Sequence, residues 1–467
     1  MTTRPAPSET TTETTRRTYA VVGTGSRSRM YVDAATTTHA DVAELVALAD
    51  PNAVRVGVSR DRVASTGAEP AIFAGPDATR DVLATAPDVV VVTSPDHTHA
   101  DVAVAALEAG ADVVVEKPLT TSADGVRRLA RALEASGRSL VMTFNYRYSP
   151  RNSRVKELLA TGAIGDVTAV HFEWCLDTAH GADYFRRWHR DKAGSGGLQI
   201  HKSSHHFDLV NWWLDDVAEV VFARGGLRRY GDGNAPAAGR PRLGRDVLGA
   251  DPGDPWALDL ARDETLRTLY LEAEGSDGYQ RDVDVFAPGV TIEDTLSVLV
   301  GYRGGANLTY ALNAYSPWEG YRVAFTGTLG RLELDVVERS WVPAPGEGHG
   351  RVVDPSAAAD ETAAASVDVR PPGTRLTLQR HWERAEEVEI PMGSGAHGGG
   401  DAVLLDDVFR GVGSRPDPLG RSAGLRDGVA AVAVGLAVNA SLDAGTAVRV
   451  ADLDLAGVLD DGAEVAS

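Results

Sequence analysis

The pattern of apolar and polar positions divides this chain into two unlike halves. Between residues 19 and 145, short apolar runs alternate with longer segments of helical spacing. The runs 19–22, 44–49, 88–92, 112–115 and 139–143 are too brief for helices and continuous enough to be buried on both faces. Each therefore predicts a strand of a parallel sheet. Helical spacing up to residue 37, over 100–109 and over 122–136 supplies the crossovers. The first half is thus predicted to be an α/β unit, a doubly wound parallel sheet over 19–145.

Beyond residue 145 the pattern changes. Strand-like runs at 167–175, 297–303, 306–311 and 321–326, with few helices between, predict an α+β domain with an open, mostly antiparallel sheet over 146–467. Two Gly-, Pro- and Asp-rich stretches, 230–290 and 343–372, read as long loops or insertions. Helical spacing returns at 402–409 and 424–442. Residues 1–18, rich in threonine with little to bury, read as a disordered tail.

Charge and cysteine content narrow the class of function. With 66 acidic against 46 basic residues the net charge is −20, which argues against nucleic acid or an anionic membrane as partner. The single cysteine, Cys175, excludes an intrachain disulfide and fits a reducing compartment. The N-terminal segment lacks the apolar stretch of a signal peptide, and the longest apolar segment, 428–438, is short for a membrane span. A cytoplasmic protein is expected.

The predicted strand ends carry the candidate chemistry. Strand 19–22 runs into Gly23-Thr24-Gly25-Ser26-Arg27-Ser28 and then a helix, a dinucleotide fingerprint without its third glycine. Gly23 permits the tight turn and Gly25 a close approach to a pyrophosphate, with Ser26 and Arg27 opening the helix. Asp50 ends the second strand, where an acid accepts from adenosine ribose hydroxyls and repels a 2′-phosphate. That favours NAD over NADP, although Arg55 lies close by; the plainer reading of Asp50 is a helix N-cap. The loop after strand 88–92 places Ser94, Pro95, His97 and His99 at the same edge, to line a nicotinamide or to fill a loop-to-helix junction. Strand 112–115 then delivers Glu116, Lys117 and Pro118. Only four lysines occur, Lys117, Lys156, Lys192 and Lys202. A lysine in such a chain suits a hydroxyl or carbonyl under reaction; the plainer reading is a surface salt bridge with Glu116.

Five of the twelve histidines fall between 180 and 206: His180, His189, His201, His205 and His206. If the chain is helical from Leu198 onward, His201 and His205 share one face and Asp208 follows a turn later. General acid–base work, a divalent metal held by the pair, and a packed helix all stay open. Nearby Tyr146, Arg147, Trp174, Tyr184, Arg186, Trp188, His189 and Lys202 suit a carbohydrate, whose C–H faces stack on rings while its edges hydrogen-bond. The segment from His397 to Asp401 reads as a turn reaching this site or as a helix entry.

Together these motifs resemble the Gfo/Idh/MocA oxidoreductase family, which includes inositol dehydrogenases and glucose–fructose oxidoreductases. The likeness is strongest over 19–225, and Glu116-Lys117-Pro118 is its most specific element. It implies a Rossmann domain, a second domain whose open sheet carries the substrate site and often mediates homo-oligomers, and a Lys117–Pro118 bond that can be cis. By that likeness Lys117 is the catalytic lysine and His205 the general base, and the expected substrate is a sugar, glycoside or cyclitol; no metal is assigned. His201 stands where the family commonly has an aspartate, so it is taken as a third catalytic residue. A redox-neutral, NAD-dependent glycosidase and a non-catalytic nicotinamide sensor are the alternatives.

Overall fold

The computed structural model describes residues 16–236, 244–245, 254–343, 353–355, 369–391 and 399–460. Six strands form the first sheet: β1 (Arg17–Val22), β2 (Ala43–Asp50), β3 (Ala71–Ala74), β4 (Val89–Val92), β5 (Asp112–Val115) and β6 (Leu140–Met142). They are all parallel, in the order β3-β2-β1-β4-β5-β6. Covering helices on both faces leave no side of the central strands for water, which is why β4 is four buried valines. The order reverses between β1 and β4, so a crevice opens where those two strands end.

The second sheet has nine strands: β7 (Val167–Asp177), β8 (Ala218–Gly226), β9 (Thr295–Tyr302), β10 (Asn307–Ser316), β11 (Glu319–Gly327), β12 (Gly330–Arg339), β13 (Gly373–Arg380), β14 (Glu386–Val388) and β15 (Val448–Arg449). Their order is β14-β13-β12-β11-β7-β10-β9-β8-β15, and β7–β10 is the one parallel pair. Burial alternates along these strands: Leu296, Val298, Val300 and Tyr302 face the core while Leu299 faces outward. The helices Ser203–Leu214 and Leu425–Ala444 cover the inner face. The latter is long and apolar enough to cross a membrane by length and composition. Against the sequence expectation of no such segment, its apolar surface is spent on β8 and on Ser203–Leu214 inside the domain core.

Several boundaries differ from the sequence reading. The tail expected over 1–18 ends sooner, because Arg17 and Thr18 belong to β1, where Asp88 accepts from the Thr18 amide and hydroxyl. β3 escapes the apolar pattern because it is a short edge strand with no buried side chain. Most of 343–372 and residue His397 lie outside the described residues. The helix expected from Leu198 is split into Leu198–His201 and Ser203–Leu214, with Lys202 between them.

Arg147, expected to bind substrate, is instead a structural cation. It is 2% exposed, and its Nε donates to Asp208 at 2.9 Å. Its other nitrogens reach the second Asp208 oxygen at 2.5 Å, Asp427 at 2.8 Å and the Gly420 carbonyl at 3.4 Å. The pair ties the segment Asn145–Tyr148, between the two sheets, to the middle of the helix Ser203–Leu214 and the start of Leu425–Ala444. Replacing Arg147 by Met would leave the Asp208 carboxylate buried without its partner. We expect a loss of about 3–5 kcal/mol in unfolding free energy, read from urea denaturation; an unchanged midpoint would remove Arg147 from this role.

Candidate active site

The crevice is built from the strand ends upward. Gly23 has φ of +91°, and a Cβ built on it would lie 2.5 Å from the Ser94 Cα, so only glycine lets the β1 and β4 exits meet. Asp50 fastens that turn to β2: Oδ2 accepts from the Thr24 amide at 2.8 Å and its hydroxyl at 3.1 Å. Oδ1 accepts from the Asn52 amide at 2.8 Å and Arg55 Nε at 3.3 Å. A ribose hydroxyl reaching Asp50 therefore has to displace one of these donors. The N-cap of the following helix is Asn52, not Asp50. Arg55 also pairs with Asp277, so two carboxylates hold its charge.

Glu116 and Lys117 leave β5 in different directions. Glu116 accepts from Arg27 Nε and from the Tyr31 hydroxyl, each at 2.6 Å, and so anchors the glycine turn and its helix. Burial pushes its carboxyl up, but the Arg27 charge and these hydrogen bonds outweigh that and hold it below the usual range. Lys117 precedes a cis proline and sends its ammonium away from Glu116. Its Nζ donates to the His201 carbonyl at 3.0 Å and lies 3.4 Å from His201 Nε2. No carboxylate touches it among the described residues, so the surface salt bridge is not formed. Burial lowers the Lys117 pKa to about 8, with Asp96 opposing the shift.

Behind His201 stands Asp96, whose Oδ2 is 2.6 Å from His201 Nδ1. Burial and the Lys117 charge keep the His201 imidazole neutral. Nδ1–H then donates to Asp96, and Nε2 is left to accept from Lys117. Asp96, His201 and Lys117 thus form one chain of polar contacts, in which burial pushes the Asp96 carboxyl well above the usual range. His205 packs flat on Tyr146, ring centroids 4.2 Å apart, with its Nδ1 buried and without a hydrogen-bond partner. Burial first, then Lys117 and Lys202, hold its pKa well below the ordinary value, so it is a free base near neutrality.

At the substrate end, Lys202 lies 3.3 Å from the Tyr146 hydroxyl and 4.9 Å from the centre of the Trp174 ring. Trp188, half-buried, stacks on His189 at 3.6 Å, and His189 meets His201 edge-on at 4.1 Å. The Tyr184 hydroxyl is bonded to His180 Nε2 at 3.0 Å. Ligand atoms of Asp96, His189 and His201 lie within 4.8 Å of one another. The charges of Lys117 and Arg187, which also act on these groups, oppose a divalent cation there.

Some expected contacts fall elsewhere. His99 staples the loop instead of lining the crevice: its ring nitrogens meet the Pro118 carbonyl at 2.7 Å and the Ser94 carbonyl at 2.9 Å. Ser94 spends its hydroxyl on Thr98, and Pro95 starts the turn behind it. His97 is exposed beside Trp188. Trp174 is fully buried, stacked between His206 and Tyr321, one layer beneath Lys202. Arg186 turns into the core to donate to the Trp256 carbonyl. The sequence reading passed over Asp96, whose partner lies 105 residues away, and Tyr270, which bonds Ser26 across 244 residues.

These features define a nicotinamide-dependent oxidoreductase site: a glycine turn, a half-buried lysine and a neutral histidine at the edge of a parallel sheet. The chain belongs to the Gfo/Idh/MocA oxidoreductase family. Residues 17–144 match that family's NAD-binding Rossmann fold, and 156–450 match its C-terminal alpha/beta domain. A putative oxidoreductase, YteT of Bacillus subtilis, is 34% identical over 365 residues, covering 75% of this chain and 78% of the relative. The inositol 2-dehydrogenase of Rubrobacter xylanophilus is 33% identical over 299 residues, 61% and 74% of the two chains. Among solved structures, an oxidoreductase domain protein from Kribbella flavida superposes with a TM-score of 0.62 at 18% identity, covering 93% and 99%.

Gly23→Ala forces the β1 and β4 exits apart at a strain of about 1–3 kcal/mol. We expect NAD affinity, measured by calorimetry, to fall roughly 10-fold or more. Binding at the original strength would show that the turn does not hold the cofactor.

Proposed function

We propose that this protein is an NAD(H)-dependent dehydrogenase that oxidises a secondary hydroxyl of a sugar, a glycoside or a cyclitol. The observation that carries this reading is the half-buried Lys117 ammonium, with no carboxylate against it among the described residues and beside a neutral His205. The inositol 2-dehydrogenase relative supports a polyol as substrate. NAD is preferred over NADP because Arg55, the cation nearest the end of β2, is already committed to Asp50 and Asp277.

A bound nicotinamide supplies the hydride acceptor. The chain supplies everything else. His205 takes the hydroxyl proton, its imidazole kept neutral by burial and by two nearby ammonium groups. Lys117 donates a hydrogen bond to the same oxygen as negative charge grows on it, and His201 holds Nζ in place through its carbonyl and Nε2. Asp96 fixes the His201 tautomer. Lys202, Tyr184, Trp188 and His189 form the substrate wall, and the solvent-facing Val220, Phe222 and Leu299 of the second sheet suit contact with another copy in a cytoplasmic homo-oligomer.

Incubation with NAD⁺ and a panel of sugars, inositols and glycosides tests the reading. Net NADH with a product two hydrogens lighter is expected. Aglycone released without NADH would replace it with a redox-neutral glycosidase, and bound NAD without turnover of any member would favour a sensor. Lys117→Met and His205→Gln are each expected to cut kcat/KM about 10²–10⁴-fold.

The pH profile carries a second prediction. The ammonium form of Lys117 is the active one, so kcat/KM should fall above about pH 8. The Asp96 charge raises the Lys117 pKa, so Asp96→Asn lowers it further and moves the alkaline limb to lower pH. A limb unmoved by the substitution would detach Asp96 from Lys117.

A further inference from the structure

The long insertion in the second domain does not stay on that domain. Its residues 264–277 cross to the first sheet and lie along the nucleotide crevice. Thr265 accepts from Arg29 Nη1 at 2.6 Å. The Tyr270 hydroxyl lies 3.2 Å from the Ser26 hydroxyl and accepts from the Ser26 amide at 3.3 Å. The Ala273 carbonyl accepts from Asn52 Nδ2 at 2.9 Å, the Ser276 hydroxyl from the Ala53 amide at 3.2 Å, and Asp277 pairs with Arg55. The far end is fixed near the substrate wall, where Arg281 pairs with Asp183 at 2.7 Å.

These contacts fall on the groups a dinucleotide needs. The Ser26 amide belongs to the turn that opens a helix after β1, where phosphate oxygens are bound. Its acceptor here is a phenol oxygen that also carries a proton. Asn52, Ala53 and Arg55 border the end of β2, where an adenosine ribose is recognised. A Cβ on Gly25 would lie 3.5 Å from the Tyr270 oxygen, so the glycine turn and the insertion face each other across little more than one hydroxyl.

We propose that residues 264–277 are a strap that closes over the bound dinucleotide and slows its exchange, with Tyr270 as a pyrophosphate ligand. This rests on the nucleotide reading of the crevice. The phenol both accepts and donates, so its proton serves a phosphate oxygen once the Ser26 amide turns to the same group. The other anchors flank Tyr270 on both sides and use none of the amides of the glycine turn. They hold the strap while Tyr270 moves. Leaving the crevice then requires the Asn52, Ala53 and Arg55 contacts to open together.

The test uses the full chain loaded with NAD⁺, freed of excess by desalting, and release followed by dilution into a trap that consumes free NAD⁺. Wild-type protein should keep its NAD through desalting. Tyr270→Phe, and independently Asp277→Ala, should release it on the order of 10-fold faster, the scale of one lost hydrogen bond to a charged group. NAD⁺ should also protect the wild-type chain from tryptic cleavage at Arg262 and Arg267. Fast release from wild type, equal to that of both variants, would overturn the strap. So would NAD binding by the variants alone, which would make the segment an inhibitory plug. Absence of NAD binding by every form would instead sink the nucleotide reading itself, and no result depends on the substrate.

Discussion

Lys117 is an ammonium largely screened from water without a carboxylate against it among the described residues, and much of the architecture answers that constraint. A buried cation has to be supplied with acceptors or lose its proton. The acid next to it in sequence, Glu116, is drawn away by Arg27 and Tyr31. The acceptors come instead from the second domain, as the carbonyl and imidazole of His201. The carboxylate in this circuit, Asp96, stands one side chain further back. The ammonium therefore stays close to losing its proton, with a pKa of about 8, a condition that a surface ion pair with Glu116 would have abolished.

The sequence made the fold legible because both periodicities are clean. Buried valine runs separated by helices read as a parallel sheet, and alternating strands read as an open one. Lys117 was legible for a different reason, its rarity and its place at a strand exit. Arg147 was misread because an arginine among aromatic residues looks the same whether it faces a cavity or a carboxylate. Its second acid, Asp427, lies 280 residues away. Asp96 was hidden in the same way: a turn acid gains a role only when a histidine from another domain is folded against it. His99 shows the converse, a residue in the right loop whose ring is consumed by two backbone carbonyls.

The insertion carried the least information in sequence and has the largest effect on the shape of the crevice. Its composition reads as loop, and Tyr270 has no motif around it. What gives the segment meaning is where its ends are fixed, by the Arg186–Trp256 contact on one side and Arg281–Asp183 on the other. Both ends are tied to the helix His180–Arg186, which also carries Tyr184 of the substrate wall. Cofactor cover and substrate wall therefore share a support, and a shift in one is felt by the other.

The helix Gly400–Arg410 closes the first sheet, not the second. Its Phe409 ring packs 4.9 Å from Tyr19 of β1, and Leu404 and Val408 join the same apolar cluster. The nucleotide-binding half is thus synthesised before the segment that caps it. Until that segment arrives, the nascent domain carries an uncovered apolar flank and must be kept from aggregating. Cutting the chain after the sixth strand would not yield a self-sufficient nucleotide-binding module.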